Sequence, residues 1–240
     1  MDRRETSTVT SEIADALGRE IVGGAYRPGS AIPGEDEVCA RFVAGRSAAR
    51  EAVKILAAKG LLQTWPRRGS RVREMKNWNF LDPAVLSWLR ETAPPRDVII
   101  ELFEMRLAFE CEAAALVAER GTPAAVAEIR SAFEHMQRAA NGSSDPIAPD
   151  AAFHEAILAA TRNRLFQPLS ALVHTALQFS VPTTNALFGH SVGDLAAHQR
   201  VLVAIEAKKP QRARAAMRAM LEDVLERVKA APVLPKRSKG

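Results

Sequence analysis

Residues 41–76 read RFVAGRSAAREAVKILAAKGLLQTWPRRGSRVREMK, and this stretch decides the fold of the front of the chain. It carries ten lysines and arginines against two glutamates, whereas the whole 240-residue chain has a net charge of only +5. Positive charge concentrated in so short a segment indicates a polyanionic binding partner. Nucleic acid is the usual one, because phosphate neutralisation with counterion release is the main source of its affinity for proteins. A solvated basic face is the alternative interpretation of any such charge run.

The elements predicted in and before this stretch favour the nucleic-acid interpretation. An apolar residue at every fourth position from Val9 to Ile21 predicts a first helix. The acidic residues 35–37 suit the first turn of a second helix, where carboxylates meet the positive end of the dipole. A third helix is predicted over about 46–59, with Gly60 as its stop. Short strands on either side of the turn 66–70 then form a hairpin.

Three helices followed by a basic hairpin is the winged helix-turn-helix pattern. Its third helix enters the major groove of DNA, while the hairpin, or wing, reaches the neighbouring backbone or minor groove. Arg46 and Arg50 stand one turn apart near the start of that helix, and arginine can fork onto O6 and N7 of guanine. Ser47 suits a phosphate or a base edge. Glu51 is better explained as an ion-pair partner within the helix, since phosphates repel a carboxylate.

The front of the chain carries a set of residues with a familiar spacing: Pro28-Gly29, Pro33, Glu35, the stretch GRSAAREA at 45–52, and Gly69 at the tip of the wing. In these residues it resembles the N-terminal domain of GntR-type bacterial regulators. The resemblance implies operator contacts from the arginines, the serine and the glycine. With the two neighbours of that glycine, the predicted DNA-binding residues are Arg46, Ser47, Arg50, Arg68, Gly69 and Ser70. Many members of the family carry arginine where this chain has Asp36, so the operator sequence is expected to differ.

Charge changes along the chain. Residues 1–76 hold 14 basic and 10 acidic side chains, whereas residues 77–235 hold 16 basic and 18 acidic ones. A short helix over 84–91, capped by Asp82 with Pro83 at its first position, bridges the two regions. We therefore predict a DNA-binding domain over 1–76, a connector with a short helix over 77–95 and a basic flexible tail over 232–240. The resemblance to GntR-type regulators implies that the region between them, 96–231, is an all-helical effector-binding and dimerisation domain.

From Arg96 onward the pattern predicts helix after helix, without the alternation typical of strands. One long helix ends near Gly121, and later ones are predicted over about 150–161, 164–180, 191–207 and 210–230. Such a run indicates an antiparallel α-bundle, whose interior can enclose a small-molecule site. The predicted fold class is therefore mainly α: a winged helix-turn-helix followed by an all-α antiparallel bundle.

Asp150 and His154 lie four residues apart, so one helix face presents both and they can share a metal ion. A surface Asp–His pair explains the spacing alone more simply. With His198 near the start of a later helix, the pattern resembles the all-helical FCD ligand-binding domain of the FadR-type branch of GntR regulators. The resemblance implies that Asp150, His154 and His198 bind a divalent metal (Zn, Ni or Mn) that helps hold a carboxylate effector.

The fourth ligand of that domain is a histidine, and its position is occupied by Met220 here. A thioether is a soft, neutral donor and is poor for these ions beside oxygen ligands. Two alternatives follow. The site binds metal through three protein ligands and leaves room for effector oxygens, or the metal has been lost.

Three residues are predicted to bind the effector. Arg106 and Glu110 lie four apart on the first long helix, which by itself indicates a salt bridge within the helix. The resemblance implies that Arg106 faces the cavity, where its guanidinium fork suits a carboxylate. Asn163 matches a recurrent asparagine of the domain, although a helix C-cap explains it more simply. The predicted effector-binding set is Arg106, Glu110 and Asn163.

Residues 78–88 resemble the galactonate-operon repressors of this branch. We therefore predict a homodimeric repressor that binds a palindromic operator, as double-stranded DNA, and is released by a sugar-acid effector. One alternative is a FadR-type regulator that senses acyl-CoA or a different carboxylate. Another is a metal-dependent hydrolase using Asp150, His154 and His198. That alternative lacks an HExxH-like base, a nucleophile elbow and a Gly-rich phosphate loop.

The two cysteines and the composition of the first ten residues indicate the cellular compartment of the protein. Cys39 and Cys111 fall in different predicted helices without CxxC spacing, and are best explained as small buried hydrophobes in a reducing compartment. Residues 1–10 are charged and polar, without the apolar core of a signal peptide. Apolar runs are short and interrupted by charge, so no membrane span is predicted. We expect a cytoplasmic protein without a membrane partner.

Overall fold

The computed structural model describes residues 3–92, 95–140, 147–188 and 194–230, with side chains at all of these positions except 3–7 and 181–188. The chain divides into two compact units, Met1–Pro94 and Pro95–Gly240. Over the described residues, the secondary structure is helical apart from one two-stranded antiparallel hairpin and an isolated bridge from Ala31 to Arg71. The predicted tail, 232–240, lies outside the described residues.

The first unit is a winged helix-turn-helix, as predicted. Its elements are α1 (Arg3–Val22), α2 (Glu35–Phe42), α3 (Arg46–Ala58), β1 (Leu62–Trp65), β2 (Gly69–Val72), a one-turn 3-10 helix (Met75–Asn77) and α4 (Pro83–Glu91). In the hairpin, Leu62 pairs with Val72 and Trp65 with Gly69. The third helix and the wing therefore follow each other directly.

The core of the first unit forms where α1 packs against α3. The four-residue spacing along α1 buries Ile13, Leu17 and Ile21. On α3, alanines bring the backbones close together, and the buried side chains are Ala48, Ala49, Ala52 and Leu56. This packing holds α3 by its inner face and leaves its other face to solvent.

The segment predicted as a connector, 77–95, lies almost wholly inside the first unit. Its helix α4 packs against α1 through four buried side chains, Val85, Leu86, Trp88 and Leu89. The Trp88 ring covers Gly18 so closely that a Cβ there would lie 2.6 Å from it. The indole Nε1 also donates to Asp15 Oδ1 at 3.0 Å. The connector is thus part of the core, because its apolar face needs α1 to be buried.

The second unit is an all-helical bundle, as predicted. Its elements are α5 (Arg96–Arg120), α6 (Pro123–Ala140), α7 (Ile147–Ala160), a one-turn 3-10 helix (Gln167–Leu169), α8 (Ser170–Phe188), α9 (Leu195–Glu206) and α10 (Pro210–Ala230). Helix α5 is central, with contacts to α7, α8, α9 and α10. None of the described helices combines the length and apolar character needed to cross a membrane.

Helix α7 is buried on most of its surface, because it contacts α5, α6 and α8. Its apolar side chains explain this burial, since a helix that is apolar all round belongs in a core. Asp150 and His154 are carried into the interior with it. Buried charged and polar groups need hydrogen-bond or ion-pair partners. Asp150, His154 and their partners define the candidate site.

Candidate functional site

The first turns of α3 present three of the predicted DNA-binding residues to solvent. The helix begins at Arg46, after Gly45 as N-cap, and Arg46, Ser47 and Arg50 are all exposed. The intervening alanines, Ala48 and Ala49, face the core. The arginines therefore lie on the outer face, where a major groove can reach them.

Both arginines are held by acidic residues from the first turn of α2. Arg46 Nη2 lies 2.8 Å from Asp36 Oδ1. Arg50 Nε donates to both carboxylate oxygens of Glu35, at 2.9 and 2.8 Å. Asp36 stands where many family members carry arginine, and neither pairing was predicted from the sequence. We name these four residues, Glu35, Asp36, Arg46 and Arg50, the reading edge.

The three predicted DNA-binding residues of the wing differ in their exposure to solvent. Arg68 and Gly69 are exposed at the turn, and Gly69 has a φ of 76°, a left-handed conformation that glycine adopts without strain. Ser70 is also predicted to bind DNA, but its side chain is buried and its hydroxyl lies 3.0 Å from Thr64 Oγ1. The strand alternation turns Ser70 inward, so its hydroxyl is engaged within the hairpin.

The second unit contains a cluster of five buried ionisable side chains from three helices. They are Arg106 and Glu110 of α5, Asp150 and His154 of α7, and His198 of α9, each 1–3% exposed. We call this set the buried polar cluster. Five ionisable groups buried this deeply must satisfy one another or hold a ligand.

Glu110 connects the arginine to the first histidine. Arg106 Nε donates to Glu110 Oε1 at 2.5 Å, and His154 Nδ1 contacts Glu110 Oε2. Burial alone would raise the pKa of the Glu110 carboxyl, but the Arg106 charge and His154 outweigh it and lower this pKa to about 2. Burial likewise opposes a charged His154, yet Glu110 and Asp150 leave the His154 pKa raised. Glu110 thus remains ionised and positions both neighbours.

Asp150 lies between the two histidines. Its Oδ1 is 3.3 Å from His154 Nε2 and 3.2 Å from His198 Nε2. Burial would raise the pKa of the Asp150 carboxyl, but the two histidines outweigh it and hold this pKa well below its usual range. The ligand atoms of Asp150, His154 and His198 all lie within 4.8 Å of one another.

The outer nitrogens of both imidazoles have acceptors of their own. His154 Nδ1 faces Glu110, and His198 Nδ1 lies 2.7 Å from the carbonyl oxygen of Asp194. When each imidazole is neutral and carries its proton on Nδ1, the Nε2 lone pairs are directed at Asp150 Oδ1. Three acceptor atoms at this separation repel one another unless a proton or a metal ion lies between them.

The separations also suit a metal. Tetrahedral ions with bonds of about 2.0–2.2 Å place neighbouring ligand atoms about 3.3–3.6 Å apart, close to the distances from Asp150 to either histidine. The residues present therefore fit a divalent ion with nitrogen and oxygen ligands. Met220, at the position predicted for a fourth ligand, is buried on α10.

Asn163 lies outside the buried polar cluster. It is half-buried in the turn after α7, where its Oδ1 accepts from the backbone N of Leu165 at 3.1 Å. The left-handed residue of this turn is Arg162, with a φ of 58°. The asparagine therefore shapes the turn, and its predicted contact with an effector stays a prediction.

Residues 9–72 match the sequence profile of the bacterial regulatory proteins of the gntR family, and residues 101–223 match that of the FCD domain. The chain belongs to the GntR family. Regulators of this family bind operator DNA and small-molecule effectors. This GntR protein is accordingly a transcription regulator and not an enzyme, which removes the hydrolase alternative.

Individual relatives agree with this family membership. This GntR protein is 35% identical, over 176 residues, to the galactonate operon transcriptional repressor of Escherichia coli strain K12, an alignment covering 73% of this chain and 76% of that protein. It is 34% identical to the uncharacterized HTH-type regulator YieP of the same strain, over 68% and 72% of the two chains. The solved structure of Lar from Listeria monocytogenes shares its fold, with a TM-score of 0.63 at 13% identity over 92% and 96% of the chains.

Proposed function

We propose that this GntR regulator represses a sugar-acid catabolic operon in the cytoplasm. A homodimer would bind a palindromic operator through its two winged units and would release it when a carboxylate effector enters the FCD domain. The observation that carries the proposal is the convergence of Asp150, His154 and His198 beside the Arg106 guanidinium. The similarity to the galactonate operon transcriptional repressor supports a sugar acid as the effector class.

The charge of the buried polar cluster explains why a metal and a carboxylate belong together there. An imidazole that binds a metal ion is neutral. In the metal-binding form of the cluster, one arginine therefore stands against two carboxylates, Glu110 and Asp150, and the formal sum without the ion is negative. An anionic effector would be repelled from such a site. A divalent cation reverses the sign of the sum and makes the site attractive to an anion.

Each residue of the cluster then has a distinct task. Asp150, His154 and His198 would hold the ion, which supplies positive charge and open positions for effector oxygens. Glu110 and the Asp194 carbonyl orient the two imidazoles through their Nδ1 atoms. Arg106 lies with Nη2 3.2 Å from His154 Nε2, so its guanidinium is within reach of a carboxylate that approaches the same point.

On the DNA side, Arg46, Ser47 and Arg50 would read bases in the major groove while Arg68 and Gly69 approach the backbone from the wing. The phosphate-binding part is the described hairpin, 61–73, which contains four arginines and no acidic residue. Release by an effector requires that the effector binds the DNA-incompetent state more tightly than the DNA-competent one.

The proposal is tested with labelled DNA from upstream of the protein's own gene. The wild type should bind it in preference to scrambled competitor at moderate salt, and galactonate or a related sugar acid should release it only when divalent metal is present. Arg106→Lys keeps the buried charge but loses the fork, and should bind DNA normally while responding to no sugar acid. Release by acyl-CoA alone, or binding without sequence preference, would contradict the proposal.

A further inference from the structure

The reading edge carries a carboxylate at the place where DNA would be read. Asp36 has a side chain that is 79% exposed, and its Oδ1 lies 2.8 Å from Arg46 Nη2 at the start of α3. The first turn of a recognition helix enters the major groove, so Asp36 is brought to the base edges together with Arg46. A negative group in that position suits the first turn of α2 but opposes binding to phosphates. Its contact with Arg46 directs attention to the bases.

We propose that Asp36 is a specificity-determining residue that reads a cytosine in the operator. This inference rests on the proposed DNA-binding function and adds the chemistry of one operator position. The Asp36 carboxylate accepts a hydrogen bond from the N4 amino group of a cytosine, while Arg46 donates to O6 and N7 of a guanine at or beside the same base pair.

The hydrogen-bonding capacity of the pair supports this assignment. Arg46 contacts Asp36 through Nη2 alone, at 2.8 Å, and a guanidinium has five N–H groups, so donors remain for a guanine. Asp36 retains lone pairs beyond the one used by Arg46, and a carboxylate can only accept. Cytosine N4 is a donor in the major groove, whereas thymine O4 and guanine O6 are acceptors that would repel the carboxylate. Asp36 therefore favours the two bases with a major-groove amino group, cytosine and adenine, over thymine and guanine. The contact of Arg46 with both O6 and N7 of guanine then selects cytosine, because adenine has no O6 acceptor.

Charge distribution over the first unit agrees with this role. The reading edge is neutral in sum, since Glu35 and Asp36 balance Arg46 and Arg50. General attraction to phosphates must then come from elsewhere, and the acid-free wing supplies it through Arg67, Arg68, Arg71 and Arg73. The reading edge is thus suited to distinguish DNA sequences, and the wing is suited to bind DNA of any sequence through its phosphates.

Stability does not account for the Asp36–Arg46 pair. Both side chains are mostly exposed, at 79% and 68%, and exposed pairs contribute little to folding. Asp36→Ala should therefore fold like the wild type. This makes DNA selectivity measurable without interference from unfolding.

The test begins with enrichment of the full-length wild type and Asp36→Ala on a random duplex library. The wild type is expected to enrich a site with one cytosine in each half, and Asp36→Ala to lose about 5- to 100-fold of the discrimination at that position. Binding is then measured on the enriched site with N4-methylcytosine at that position. The methyl group should weaken the wild type by a similar factor and leave Asp36→Ala unaffected.

Glu37→Ala is the matched control, because it removes the same charge from the same turn of α2. Within the described residues, Glu37 has no ion pair with either arginine of the edge. Its enriched site should be that of the wild type. Equal sensitivity of the wild type and Asp36→Ala to N4-methylcytosine, or identical enriched sites, would overturn the inference. A wild type that enriches no sequence would instead contradict the DNA-binding proposal itself.

Discussion

Arg106 and Glu110 are each about 1% exposed, so both charges of this pair have lost nearly all of their hydration. On the same helix, Glu112 forms an ion pair with Arg214 in which the side chains are 50% and 30% exposed. The two glutamates are two residues apart in sequence and differ only in the side of α5 that they occupy. Burial makes the first pair indispensable once formed, because removing one partner leaves the other charged and unsolvated.

We expect Glu110→Ala to lower the free energy of unfolding of the second unit by about 3–5 kcal/mol. Glu112→Ala, the matched surface change, should cost less than about 1 kcal/mol. Urea denaturation followed by far-UV circular dichroism measures both. All three tryptophans, Trp65, Trp78 and Trp88, lie in the first unit. Tryptophan fluorescence therefore reports the unfolding of the first unit alone and distinguishes it from the unfolding of the second. Similar losses for both variants would argue against the burial of the Arg106–Glu110 pair.

Val43 occupies the turn between α2 and α3 in a left-handed conformation, with φ 50° and ψ 46°. A β-branched residue is strained there, and its side chain gains nothing in return, since it is 95% exposed. Asparagine tolerates this conformation. We expect Val43→Asn to stabilise the first unit by about 1 kcal/mol, seen as a higher midpoint in tryptophan fluorescence.

Val203→Asn is the control for Val43→Asn. Val203 is also exposed, at 54%, but lies within the regular helix α9, where no strain can be relieved. That change should be neutral or slightly destabilising. A gain at Val203 equal to the gain at Val43 would show that surface polarity, and not backbone strain, is responsible.

At the scale of elements, α4 depends on Asp82 in two ways. As N-cap, its Oδ1 accepts from the backbone N of Ala84 at 2.9 Å, and both carboxylate oxygens accept from Lys59 Nζ at 2.8 and 2.7 Å. Burial would raise the pKa of the Asp82 carboxyl, but the bonds from Lys59 and the backbone outweigh it and lower this pKa. The cap thus fixes α4 to the end of α3 as well as starting the helix.

The lowered pKa sets the direction of a pH dependence. The charge of Asp82 stabilises the fold above the unfolded-state pKa of about 3.9, and this stabilisation is lost as pH falls toward the folded-state value. Asp82→Asn keeps a capping side chain and removes only the charge. The stability gap between wild type and Asp82→Asn should be constant from pH 7 to about 5 and should close on further acidification.

Asp82→Ala also loses the cap and should therefore be less stable than Asp82→Asn by about 1 kcal/mol at every pH. Thermal unfolding followed by tryptophan fluorescence gives both differences. A gap that widens in acid would mean that the folded-state pKa is raised, in conflict with the Lys59 contact.

At the scale of the whole molecule, DNA binding and effector binding are assigned to separate units. We expect His198→Gln to lose bound divalent metal and the response to sugar acid, while its affinity for the operator stays within about twofold of the wild type. The control is His174→Gln, since His174 is 42% exposed and pairs with Glu155 on the surface. Metal content and fluorescence anisotropy on labelled operator measure the two properties. Unchanged metal content in His198→Gln would contradict the proposed ligand set.

The local sequence was sufficient to predict the positions of the helices and strands and to identify most of the candidate site residues. The third helix was predicted over 46–59 and spans Arg46–Ala58, and the first long helix of the rear unit ends at Arg120, next to the predicted Gly121. Helical periodicity, caps and turn residues act over a few positions, so they can be recognised without knowing the fold. The basic charge of the wing is likewise a property of its own residues.

Tertiary structure alone decided which of these residues meet. The atoms of His154 and His198 converge on Asp150 because α7 and α9 pack in one bundle, and Glu110 joins them from a helix 44 positions earlier than His154. The Asp36–Arg46 pair and the packing of α4 on α1 also depend on residues of other helices. Periodicity tells which side of an element is apolar, but the partner of a buried charge is set by which helices close over it.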